Sequence, residues 1–245
     1  PLSEALMLNL LSFGENGWGT LILSATLTTL LLSLAALAVG AGVGGVIAAA
    51  KLSRHAPARW FGAAWSVVFR GIPELLVIYL FYFGGSGMIS WVGRLFGADG
   101  FIEVPPFLIG ALAIGLISSS YQAEVYRAAR LALMPGEVEA ATAIGMPRWR
   151  ILQRILLPQI IRYSLPGLSN VWQMSLKDSA LVSVTGIVEL MRASQIAAGS
   201  TRDYFLFYLI GGGCYLILTL LSNRAFTRAE SHLNRAWLRR SAAQA

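Results

Sequence analysis

The sequence predicts an all-α polytopic membrane protein with about five transmembrane helices. Three observations predict it. Of 245 residues, 56% are hydrophobic and only 13% are charged, which is too apolar for an ordinary soluble domain. The apolar residues gather into runs of about 20 or more, the length a helix needs to cross a hydrocarbon core of ~30 Å. The basic residues lie in the gaps between those runs, where membrane proteins keep their topological anchors. The net charge of +7 therefore does not point to nucleic acid. Cys214 is the only cysteine, which excludes an intrachain disulfide framework and a multi-Cys metal site. The two histidines, His55 and His232, both lie beside basic segments, and no metal centre is expected.

The chain reads as a single transmembrane domain over residues 1–245. Its first stretch, PLSEALMLNLLSFGENGW, has no Lys or Arg, and the apolar run that follows is too long for a signal h-region. The first span is expected within Gly19–Ala50. Gly40 and Gly44 there have the GxxxG spacing that lets helices approach closely, and a flexible glycine patch near the span's end fits them equally. A basic loop, Lys51–Arg59, leads to a second span over Trp60–Phe83, which contains Arg70, Gly71, Pro73 and Glu74. Charges and a Pro inside a span are expensive and are usually found facing a cavity or other protein. A loop over Gly84–Pro106 precedes the third span, Phe107–Tyr126, which carries Ser118, Gln122 and Glu124. The fourth span, Leu165–Thr185, carries Lys177 and Asp178. A second loop, Gly186–Asp203, leads to the fifth span, Tyr204–Leu221, and a basic tail. Trp60, Trp65 and Trp91 read as interface markers.

Charge distribution sets the expected orientation. Lys51, Arg54, Arg59, six Arg between Arg127 and Arg162, and five Arg from Arg224 onward would share one side. Only Arg94, Arg192 and Arg202 would lie on the other. The positive-inside rule makes the first side cytoplasmic, with the N-terminus outside and the C-terminus inside.

Between the third and fourth spans lies a long polar stretch. Pro135 and Gly136 interrupt the preceding helix, and Glu137 and Glu139 suit the start of a new one, where the helix dipole favours negative charge. Ala140, Ala141 and Ala143 are small, strong helix formers. Gly145 suits a left-handed C-terminal cap, and Pro147 suits the first turn of the next helix. Trp149, Leu152 and Leu156 recur at helical spacing, with Arg148, Arg150 and Arg154 on other faces, as in an amphipathic surface helix. Pro158 and Pro166 are expected to break the approach to the fourth span. By composition alone this stretch reads equally as a solvated, topology-anchoring loop.

Its residue order resembles a known family. Glu139-Ala-Ala, Gly145, and Ile155-x-Leu-Pro158 fall as in the EAA loop of the permease subunits of bacterial ABC importers. The run from Tyr121-Gln-Ala-Glu-Val-Tyr-Arg127 through LPQIIRYSLPGLSN to LKDSALVSVTGIVEL is similar to the polar amino-acid branch. Arg70-Gly-Ile-Pro-Glu74 resembles that branch's RG-x-P element, and Glu74 resembles the Q-type subunit of histidine, arginine and opine importers. Ala128-Ala129 stands where Gly is common, and the tail is longer than a minimal permease needs.

The resemblance implies a multi-pass subunit of the bacterial inner membrane. It implies a second, related permease subunit, two ATP-binding-cassette ATPase subunits that bind ATP and Mg, an external solute-binding protein and an amino-acid substrate. Within a coupling segment of about residues 136–158, it implies an ATPase contact through Glu137, Glu139, Ala140, Ala141, Ile144, Gly145, Met146 and Arg148. The sequence separately argues against an internal motor. A P-loop needs Gly-Lys-Ser/Thr, but Lys51 follows Ala50 and Lys177 follows Leu176.

Lys177 and Asp178 fall near the middle of a span, where an unpaired charge costs about 2.5–3.5 kcal/mol on insertion scales. With Glu74 they are candidates for meeting the charged groups of an amino acid, and Arg70, Ser118 and Gln122 for completing the site. A charged network that only holds helices together fits the same residues. Glu124 and Arg127, one turn apart, read as a local ion pair. The function expected is translocation of a polar, cationic amino acid or opine-like derivative; the alternative is a secondary transporter or channel that couples ions through the intramembrane charges. No nucleophile elbow or zinc spacing suggests an enzyme.

Overall fold

The computed structural model describes residues 12–14, 17–95 and 104–242, and every regular element among them is helical. Helix α1 spans Gly19–Lys51, α2 Ala56–Gly71, α3 Glu74–Leu95 and α4 Pro106–Leu131. Helices α5, Pro135–Ala143, and α6, Arg148–Ile151, follow. A π-helical turn, Leu152–Leu156, leads into α7, Leu157–Asp178, and then a 3-10 segment, Ser179–Thr185. Helices α8, Leu190–Thr201, and α9, Tyr204–Ala242, complete the chain. Three of these are long and apolar enough to cross a membrane, or up to five spans if each broken pair counts as one.

The expected first and third spans coincide with α1 and α4. Four other expectations need correction. The second span is broken at Ile72–Pro73, where α2 stops and α3 begins. Pro73 lacks the N–H a continuous helix would use, and its carbonyl instead accepts from Leu76 and Val77 at the start of α3. Helix α3 then runs to Leu95, well into the predicted Gly84–Pro106 loop, of which residues 96–103 lie outside those described. Pro166 does not interrupt the approach to the fourth span, because α7 passes through it. The last turns of that span are 3-10 and end at Gly186, whose φ of +87° glycine adopts without a Cβ penalty. The predicted second loop is largely helix α8, which buries one face through Leu190, Ala193, Ser194, Ala197 and Ala198. The opening residues 1–11 lie outside those described.

The chain divides into two compact units. One comprises residues 1–39, 72–115 and 174–219. Its cores are Leu32, Ala36, Ile78, Ala113, Ile114 and Val182 in one place and Ile22, Leu190, Ala197, Ala198 and Phe207 in another. Gly115 belongs here, and a Cβ on it would meet Val39 at 2.7 Å.

The other unit comprises residues 40–71, 116–173 and 220–245. Ile47, Ala48 and Ala123 form its core, with Val43, Trp65 and Tyr126 packed against them. Gly44 lets α1 approach α4, since a Cβ there would sit 2.9 Å from Ser119 O and 3.0 Å from Gln122 Cβ. Trp65 is not an interface marker: its ring packs in this core and its Nε1 donates to Ser119 Oγ at 3.0 Å. Trp60 and Trp91 are exposed. Long faces of α1 and α9 leave apolar side chains such as Leu23, Leu31, Leu209 and Ile217 uncovered, as lipid or neighbouring membrane chains require.

Candidate functional site

The polar stretch builds a capped, projecting helix. Pro135 opens α5 after an extended Met134, and Glu137 lies in the first turn, its carboxylate accepting from Gln159 Nε2. At the other end Gly145 takes φ +80°. Its N–H donates to Thr142 O at 3.0 Å, and Met146 N–H donates to Ala141 O at 3.0 Å, the paired bonds of a Schellman cap. The cap satisfies the last carbonyls of α5 and turns the chain sharply, so Ile144 stands out, 78% exposed. Glu137, Glu139, Ala140, Gly145 and Arg148 are also exposed, and Met146 is half-buried. Ala141 is buried and faces the unit's interior, so it supports the helix rather than offering surface.

The expected amphipathic helix after Pro147 begins as α6 and then widens into the π turn. The extra residue shifts the register so that Ile151 is buried while Trp149 and Leu152 remain half-exposed, with Arg150 stacked on the Trp149 ring. Leu152, Leu156 and Leu157 line an apolar cavity of about 510 Å3 with Ala48 and Leu52 from the end of α1.

In the same unit, Lys51 ends α1 and donates both to Glu124 and, at 2.7 Å, to Ser66 Oγ. Arg127 Nε donates to the other oxygen of Glu124 at 2.8 Å, so the local pair read from sequence is present and is part of a larger network. Lys51 was expected only as a loop anchor; no local spacing signals its partner, which lies 73 residues away. Arg70 stacks over the Tyr121 ring at 5.2 Å and opens onto a cavity of about 550 Å3 that Lys51, Ser66 and Glu124 also line. Ser118 and Gln122 are buried and bonded to each other at 2.9 Å, and Tyr126 donates to Gln122 Oε1. They hold helix α4 together internally and do not line that cavity.

The remaining candidates lie in the other unit. Glu74, in the first turn of α3, and Asp178, at the end of α7, bring their carboxyl groups within hydrogen-bonding reach. Both are partly buried, and Lys177 beside them is exposed while still acting on Asp178. Two carboxylates so close repel each other, and a cation placed against them relieves that repulsion.

Sequence reasoning missed Glu189. It is fully buried and caps α8, accepting from Met191 N and Arg192 N at 2.8 Å each. Tyr215 of α9 donates to it at 2.9 Å, and Thr29 of α1 accepts from Leu190 N at 3.0 Å. Glu189 and the adjoining Leu190 N–H thus tie α8 to α9 and to α1. Its only signal in the sequence is an acid just before an apolar, helix-spaced run, and Glu is not among the usual capping residues.

Apolar helices broken at Pro73 and Gly186, together with an exposed capped helix on a polar stretch, suit a membrane transport subunit. The family described as "Binding-protein-dependent transport system inner membrane component" matches residues 41–235, and the chain belongs to it. The octopine transport system permease protein of Rhizobium meliloti is 50% identical over 91% of this chain and 94% of its own. The histidine/lysine/arginine/ornithine transport system permease protein of Escherichia coli K12 is 34% identical over 84% of this chain and 90% of its own. Among solved structures, an amino acid ABC transporter crystallised with histidines aligns at TM-score 0.72 and 32% identity, over 88% of this chain and 95% of that one. The MetNI methionine transporter shares the fold at TM-score 0.68 and 17% identity.

Proposed function

We propose that this chain is the translocation subunit of an ATP-driven importer for polar, cationic amino acids or opine-like derivatives in a bacterial inner membrane. It works with a second, related permease subunit, two ATP-binding-cassette ATPase subunits and an external solute-binding protein. The observation that carries this reading is the Schellman-capped end of α5, which leaves an apolar Ile144 uncovered on an otherwise polar segment. Such a knob fits a groove on a neighbouring protein, and ATP and Mg belong to that neighbour.

Glu137, Glu139, Ala140, Ile144, Gly145, Met146 and Arg148 form the contact region, with Ala141 packed behind it. Motion of the knob passes to α4 and α7, which flank the polar stretch in the chain. Glu74 and Asp178 offer the cation-accepting part of the pathway, and Lys177 is suited to a substrate carboxylate. In the other unit, Ser118 and Gln122 brace α4, and Arg70 is suited to a carboxylate of its own.

The test is uptake by the complete complex in sealed vesicles. ATP without an ion gradient must drive accumulation when the binding protein is present. Uptake driven by a gradient without ATP would instead establish the ion-coupled transporter and sink this reading.

A further inference from the structure

Helix α9 is 39 residues long, ~58 Å at 1.5 Å per residue, whereas a hydrocarbon core of ~30 Å takes about 20 residues. Its apolar run ends at Leu221, and a polar, Arg-bearing stretch follows from Arg224 along the same helix. That stretch is held in place. Gln173 Nε2 donates to Asn223 Oδ1 at 2.7 Å, and Arg162 Nε donates to Asn234 Oδ1 at 2.7 Å. Residue numbers fall along α7 as they rise along α9, and each pair of anchors is eleven residues apart, about three turns. The tail therefore runs antiparallel beside α7 in fixed register. Arg162 lies four residues after Pro158, so the tail ends on the same side as the α5 knob.

About a third of a turn round from the two Asn anchors, Arg224, Arg228 and Arg235 share a second face, at spacings of four and seven residues. All three are exposed, and none makes an ion pair with a carboxylate of the described residues. The headgroup layer is only ~5–7 Å deep on each side. Arg228 lies ~6 Å and Arg235 ~16 Å beyond Arg224 along the axis, so the ridge is longer than that layer is deep.

We propose that the Arg224–Arg228–Arg235 ridge is a second docking surface for the ATPase subunit, fitted to an acidic patch on it and separate from the α5 knob. This rests on the coupling reading above. The knob supplies the apolar, shape-specific contact, and the ridge supplies electrostatic steering and orientation. Because α7 and the tail are bonded in register, the ridge and the segment after Pro158 meet the partner as one body.

The experiment uses the permease pair in nanodiscs, with the purified ATPase subunit as the probe, titrated over a range of NaCl. Discs of phosphatidylcholine alone are compared with discs containing phosphatidylglycerol. The triple variants Arg224→Gln/Arg228→Gln/Arg235→Gln and Arg224→Glu/Arg228→Glu/Arg235→Glu are compared with wild type, and Glu139→Lys is run in parallel. In neutral discs the Gln variant is expected to bind the ATPase roughly tenfold more weakly at low salt, with most of the salt dependence gone. The Glu variant should bind more weakly still. If it fails to assemble, the Gln variant, which removes charge without reversing it, carries the measurement. Wild-type binding by the Gln variant in neutral discs overturns the ridge, as does an effect confined to phosphatidylglycerol discs, which would make it a lipid contact. If wild type itself binds no ATPase, the coupling reading falls with it. If Glu139→Lys alone weakens binding, only the ridge falls.

Discussion

Tyr215 Oη lies 2.9 Å from Glu189 Oε2, a bond from the first third of α9 to the carboxylate that caps α8. It turns a local cap into a tie between three helices, since Thr29 of α1 holds the next residue, Leu190. Donors satisfied by a buried carboxyl group have no water to fall back on. Tyr215→Phe should therefore lower the stability of the detergent-solubilised protein by about 1–3 kcal/mol. Glu189→Ala should cost more, because it also orphans two backbone N–H groups. Thermal unfolding ranks the two, and an unchanged melting point for Tyr215→Phe would remove the bond from the account.

Gly145 sits at φ +80°, where a Cβ costs about 1–2 kcal/mol in local strain. Gly145→Asn, which tolerates this conformation, should retain most transport. Gly145→Val should distort the Schellman cap and uncouple ATP hydrolysis from uptake in the reconstituted complex. Normal substrate-stimulated hydrolysis in Gly145→Val would show that the turn's geometry does not matter for coupling.

Lys51, Glu124 and Arg127 form one network, so their contributions should not add. Lys51→Met leaves Glu124 with a single partner and should destabilise by about 1–3 kcal/mol. Lys51→Met/Glu124→Gln should cost less than the sum of the single changes, by at least ~0.5 kcal/mol in a double-mutant cycle. Strict additivity would mean that the two side chains act independently.

Glu74 and Asp178 bring two acidic groups together. In the assembled importer, Glu74→Gln and Asp178→Asn should each raise the KM for a cationic amino acid by about tenfold, the loss of one charge contact. Binding by the external receptor should be unaffected. Equal KM values across wild type and both variants would assign the pair to helix packing.

Glycines within one run of α1 should respond in opposite directions. Gly44→Ala forces a Cβ against Ser119 O and Gln122 Cβ and should destabilise by about 1–3 kcal/mol. A Cβ on Gly45 meets nothing within 4 Å, so Gly45→Ala should stabilise by roughly 0.4–1 kcal/mol through helix propensity. Melting temperatures of the two variants measured side by side check the sign of each.

The sequence by itself determined the class. Apolar run length, the gaps holding Arg and Lys, and the Glu139–Gly145–Pro158 order are local patterns, set by the thickness of a bilayer and by helix-capping chemistry. The Gly145 turn was legible for that reason: only a residue without a Cβ adopts its φ at no cost. Only the tertiary structure decided which charges meet. Lys51 finds Glu124 across 73 residues, and Glu189 finds Tyr215 across 26, through helix packing that no spacing rule encodes. Likewise the breaks at Pro73 and Gly186, the buried face of α8 and the burial of Ser118 and Gln122 follow from what each backbone and side chain can pack against. Hydropathy measures a run's mean affinity for lipid, and it is blind to which face of that run another helix will cover.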